Sequence, residues 1–143
     1  MSSLITTLTE SVRYRGREAQ WSFNFHRLSG LATLLFLTIH ILDTSTVYFF
    51  PSLYIHAIEI YRNPFFMIGE MALVAGVIYH GLNGLRIILF DLYPHLWTES
   101  RQRTFFWVAF VGTIVLWLPA GFLMGRALLY YSFGVTLLGV PGG

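Results

Sequence analysis

The stretch FFMIGEMALVAGVIYHGLNGLRIILF, residues 65–90, decides how this chain folds. It is apolar for longer than the roughly 20 residues a helix needs to cross a bilayer. Its ionisable groups are Glu70, His80 and Arg86. Ala72, Gly76, His80 and Gly84 recur at four-residue steps, so on a helix they form one gently drifting stripe. A histidine set among small side chains leaves a shallow groove with a metal ligand projecting into it, a seat for a flat cofactor such as haem. The same stripe suits close helix packing, in which a membrane histidine hydrogen-bonds across the interface. Both readings stay open on these residues alone.

The rest of the chain extends the membrane pattern. Of its 143 residues 55% are hydrophobic and only 11% charged, with a mean hydropathy of +0.62. A soluble domain carries about 25% charged residues, so lipid is the natural solvent for much of this chain. Two more apolar runs, about 23–50 and 105–123, join the run at 65–90 to predict an all-α membrane protein. It has three transmembrane helices in a single anchor domain, 1–143. Pro51 to Pro64 reads as an interfacial turn or short helix, and Asp91 to Thr104 as a solvent loop. Pro119 predicts a kink in the third span.

There is no cysteine, which excludes disulfides and thiolate metal sites within the chain. All the basic residues are arginine, scattered rather than clustered, and this is no nucleic-acid signature. Arg13, Arg15, Arg17, Arg101 and Arg103 fall on one side of the spans, against Arg62 and Arg126 on the other. The positive-inside rule then places the N-terminus in the cytoplasm. The N-terminal segment, with Glu10 and Glu18, is too polar for a signal peptide's apolar core.

Ionisable groups at membrane depth are costly and usually face protein or a cofactor. The first span holds His26, Arg27, His40 and Asp43, the second Glu70, His80 and Arg86, and the third none. Rises of about 1.5 Å per residue put Arg86 roughly 8 Å in, His80 roughly 16 Å and His40 roughly 22 Å. His26 and Arg27 lie at the same edge as Arg86, so basic side chains sit between His80 and the cytoplasm. Haem propionates would need such partners. The depth offset separates His40 from His80. His40 is left to ligate a second haem or to hydrogen-bond Asp43 or Glu70.

Two segments carry a resemblance. WSFNFHRLSG (21–30) contains an H-R-x-S/T-G pattern, and YHGLNGLR (79–86), followed by Asp91, contains H-x-x-x-G-[IL]-R-x4-D. Together, in order on the first two of three spans, they resemble the cytochrome b membrane subunit (SdhC) of bacterial succinate:quinone oxidoreductase, complex II. The resemblance covers roughly residues 14–95. It implies that His80 is an axial ligand of haem b, with His26, Arg27 and Arg86 near the propionates and the quinone site. It also implies quinone contacts from Arg27 and its neighbours Trp21, Ser22 and Phe23. The family's serine four residues before the arginine is Phe23 here, a departure that leaves the quinone's hydrogen-bonding partner unassigned.

The implied assembly is a hetero-oligomeric helical bundle in the bacterial inner membrane. A second small membrane subunit, SdhD-like, would supply the other haem ligand, and an iron–sulfur subunit and a flavoprotein subunit would dock on the cytoplasmic side. Succinate chemistry itself would lie outside this chain. One or two haems are compatible with His80 and His40. Two rival expectations remain: a haem-free quinone anchor in which His80 only packs, and an ion- or proton-conducting subunit using His40, Asp43 and Glu70.

Overall fold

A computed structural model describes residues 18–136 and contains four α-helices and no strand among them. Helix α1 runs Glu18–Phe49, α2 Pro51–Tyr61, α3 Pro64–Leu92 and α4 Glu99–Phe133. A single 3-10 turn, Pro94–Leu96, joins α3 to α4. Three helices are long and apolar enough to cross a membrane, over Gln20–Phe49, Pro64–Leu92 and Glu99–Phe133. Arg13, Arg15 and Arg17, on which the expected orientation leans, lie outside the described residues.

Prolines and caps set the boundaries. Pro51 keeps Phe50 out of the helical region (φ −146°, ψ 72°), which ends α1, and then opens α2, where no N–H partner is needed. Asn63 caps α3 by accepting the Phe65 N–H at 3.0 Å, with Pro64 at the first helical position. Gly134 closes α4 in the left-handed region (φ 66°), and its N–H reaches the Tyr130 carbonyl at 2.9 Å.

Two expected boundaries are corrected. The solvent loop over Asp91 to Thr104 shrinks to the link Tyr93 to Thr98, because α3 continues to Leu92 and α4 begins at Glu99. The third span continues past Leu123 to Phe133, running through Pro119 without interruption. Hydropathy marks the part of a helix that sits in hydrocarbon. The flanks Glu99 to Arg103 are polar, yet they are adequate helix formers, so the helix outlasts the apolar signal. The Pro51–Pro64 segment is the short helix α2 and a tight turn.

Helix α3 is the centre of the bundle, packed against α4 along most of its length and against α1 at one end. Phe106, Ala109 and Thr113 form the buried stripe of α4. Phe90 meets Phe105 edge-on at 5.3 Å, and the Trp117 indole N–H donates to the Met71 carbonyl at 2.9 Å. On α1, the buried residues facing α3 are Ser22 and Ser29, small enough to let the two backbones approach. The outward faces are apolar: Leu28, Leu31, Leu34 and Leu35 are all more than half exposed, as lipid or another subunit requires.

Replacing Trp117 with Phe keeps an aromatic ring, though a smaller one, and removes the indole bond to the Met71 carbonyl. The expected loss is about 1 kcal/mol, read as a lower thermal midpoint of the detergent-solubilised protein, whereas Leu116→Ala on the exposed face should move it less.

Candidate functional site

The chemistry collects where the start of α1 crosses the second half of α3. His26, Ser29 and Gly30 come one turn apart on α1 and face His80 across the helix interface. The imidazoles of His26 and His80 stack with centroids 4.1 Å apart and planes within 5°. His80 Nδ1 lies 3.1 Å from the His26 backbone oxygen and 3.4 Å from Ser29 Oγ. A carbonyl can only accept, so Nδ1 carries the proton and donates it. That tautomer places the lone pair on Nε2, and Nε2 makes no hydrogen bond among the described residues. A histidine held through Nδ1–H with Nε2 open is the form that binds a metal.

Gly30 makes the approach possible. A Cβ there would lie 2.9 Å from His80 Cε1 and 3.2 Å from Nδ1, closer than any side chain tolerates. The small-residue stripe of α3 is therefore covered by α1 rather than left as an open groove: Gly76 faces Ser29, and Gly84 faces His26 Cε1.

One turn further on is a polar network. Arg86 NH1 donates to Ser22 Oγ at 2.6 Å and to Asn83 Oδ1 at 3.0 Å, and Ser22 Oγ donates to Asn83 Oδ1 at 2.8 Å. The Tyr79 hydroxyl reaches the Ser22 carbonyl at 3.5 Å. Asn83 is 1% exposed, the most buried side chain of the described residues. Arg86 makes no salt bridge among them, and its Nε is buried without an acceptor, as is His26 Nδ1. The network therefore holds a half-buried guanidinium with neutral groups only. Sequence reasoning did not single out Asn83. The available signal was a lone amide inside an apolar helix, three residues before the arginine and so on the same face.

The other expected residues lie elsewhere. Arg27 is exposed and sits over the Phe23 ring at 5.3 Å, roughly 140° around α1 from Ser22. Trp21 packs on Phe25 at 5.5 Å. Ser22 faces α3 and Arg86, so it does not share a surface with Arg27 and Phe23. His40 is exposed, stacked on Phe36 at 5.3 Å, and hydrogen-bonds neither Asp43 nor Glu70 among the described residues. At that far end Tyr61 of α2 lies near Asp43 and Glu70 of the neighbouring helices. Burial first, then the charges of Asp43 and Glu70, raises its pKa above the ordinary phenol value. His56 is solvated, 3.8 Å from Glu59 in an exposed pair, and His95 is exposed too.

The family model described as "Succinate dehydrogenase/Fumarate reductase transmembrane subunit" matches residues 7–120. The chain is also similar to "Succinate dehydrogenase 2 membrane subunit SdhC" of Mycobacterium tuberculosis (strain ATCC 25618 / H37Rv). The two are 34% identical over 132 residues, covering 87% of this chain and 94% of that relative.

The closeness of Gly30 to His80 generates a paired test. Gly30→Ala forces the imidazole or the helix to move and should destabilise the protein by about 1–3 kcal/mol. Gly69→Ala meets nothing within 4 Å, so it should be neutral or slightly stabilising, since alanine is the better helix former by about 0.5–1 kcal/mol. Thermal melts of the two variants side by side check the contrast.

Proposed function

The chain belongs to the succinate dehydrogenase/fumarate reductase transmembrane-subunit family, and on that footing we propose that it binds haem b and helps form the quinone site of its complex. His80 would hold the haem iron, with the remaining protein ligand coming from a second small membrane subunit. The observation that carries this is the bond from His80 Nδ1–H to the His26 carbonyl, which leaves Nε2 as an unengaged donor. The donor set fits haem in a second respect. Arg86 is half-buried, with no acidic partner among the described residues and a buried Nε without an acceptor, so it lacks the anion that a propionate would provide.

Haem held there supplies a one-electron redox centre beside the quinone. The protein's own residues do the rest. His26 packs flat on His80 and fixes the ring plane; Ser29 and the His26 carbonyl fix its tautomer. Arg27, on the outward face of α1 with Phe23 and Trp21 nearby, would bind the quinone head. Its cation would stabilise the negative charge that grows on the quinone oxygen as electrons arrive. Ser22, committed to Arg86 and Asn83, would act on the haem side by holding Arg86. An iron–sulfur subunit delivers the electrons and a flavoprotein subunit oxidises succinate. In this proposal the complex sits in the bacterial inner membrane with the N-terminus of this chain in the cytoplasm. His40, exposed within its span, is the candidate ligand of a second haem.

One observation favours the haem-free alternative: His80 already packs against Gly30 and His26 within the chain, as a purely structural histidine would. The reduced-minus-oxidised spectrum of the purified complex separates the two. A b-type band in the native complex and its loss in His80→Ala are expected; persistence of the band in that variant would contradict the assignment. Separately, Arg27→Leu should slow quinone reduction by about 100-fold, while succinate oxidation with a soluble dye acceptor stays unchanged. Equal loss with both acceptors would place Arg27 in assembly instead.

A further inference from the structure

Asn83 is fully buried in an apolar helix and accepts two hydrogen bonds on one oxygen, from Ser22 on α1 and Arg86 on its own helix. The proton accounting leaves no freedom. A guanidinium only donates, so Asn83 must present its carbonyl oxygen, and Ser22 Oγ, which accepts from Arg86, must turn its own proton to the same oxygen. The three side chains close a ring in which each bond fixes the next. Arg86 NH1 is consumed by this ring, and the side chain leans over Phe90 at 5.7 Å. Nε and NH2 make no hydrogen bond among the described residues.

The acceptor is neutral, and its neutrality has a consequence. A carboxylate at this place would make the same bonds and would also cancel the arginine's charge. An amide orients the guanidinium and leaves that charge whole.

We infer that Asn83 is a positioning residue, a neutral clamp that aims Arg86 and preserves its positive charge for an anionic group bound at this end of the α1–α3 interface. The inference rests on the haem reading above, in which that anion is a haem carboxylate. Through Arg86, Asn83 raises the midpoint potential of the haem, because a positive charge nearby favours the reduced form.

Two isosteric variants of the intact complex test it. Asn83→Asp retains the hydrogen bonds and neutralises Arg86. Asn83→Leu removes the acceptor and leaves the charge. Potentiometric titration of the b-type band should show a downward shift in Asn83→Asp, of the order of a tenfold change in the oxidised-to-reduced ratio at fixed potential, about 59 mV for one electron. Asn83→Leu should shift it less, while its thermal midpoint falls further than that of Asn83→Asp. A merely structural amide predicts the apolar variant to be the more damaging on both readouts. An unshifted potential in Asn83→Asp, or a shift in Asn83→Leu as large or larger, would overturn the inference with the haem reading intact. A native complex with no b-type band would overturn that reading, and the inference with it.

Discussion

The bond from His80 Nδ1–H to the backbone carbonyl of His26 requires two membrane helices to approach so closely that only a hydrogen fits at residue 30. Much else at this end of the bundle depends on that approach. It stacks the two imidazoles, brings Ser22 of α1 within reach of Arg86, and leaves the outer faces of both helices for lipid and other subunits. A side chain at Gly30 would displace the His80 imidazole or the helix and with it the polar groups. Small residues along an apolar helix therefore serve the chemistry indirectly, by setting the distance at which the polar side chains meet.

Hydrocarbon cannot solvate a charge, so a half-buried guanidinium within a span must be met by acceptors within the protein or by an anion that comes to it. Here the acceptors are a serine and an asparagine. They satisfy geometry and leave charge, which is what a subunit needs if its partner group is anionic. The opposite end of the bundle is built differently. Asp43 and Glu70 are anionic or neutral, and burial together with their charges raises the Tyr61 hydroxyl above its ordinary range. The end where α1 begins is thus basic, while the end where α2 turns back mixes Asp43, Glu59 and Glu70 with Arg62 and Arg126. Nothing ionisable on α4 between Arg103 and Arg126 joins the two ends.

Much of this was legible in the residues. Three apolar runs give three spanning helices, and the prolines at 51 and 64 mark the turn between the first two. Antiparallel spans made it legible that His26, His80 and Arg86 lie toward the same leaflet. The depth reading set His26 at the edge and His80 deeper, whereas the stacked imidazoles bring the two level. The helix ends were less legible, since hydropathy reports hydrocarbon and α4 extends beyond it at both ends. The side of α1 on which each neighbour falls was also obscure. Ser22 and Arg27 are close in sequence, yet the helix rotation sends one to Arg86 and the other to Phe23. Asn83 escaped notice because a lone amide carries no motif; its role depends on partners from two helices.

The central claim is that His80 is one half of a haem site whose other half lies in a second subunit. Its most direct test is the haem-to-protein ratio of the intact complex, from quantitative haem extraction set against the amount of this chain. At least one haem b per copy is predicted, lost when the complex is split into its separate membrane subunits. A complex with full subunit content and no haem, or one haem retained by this chain alone, would contradict the account.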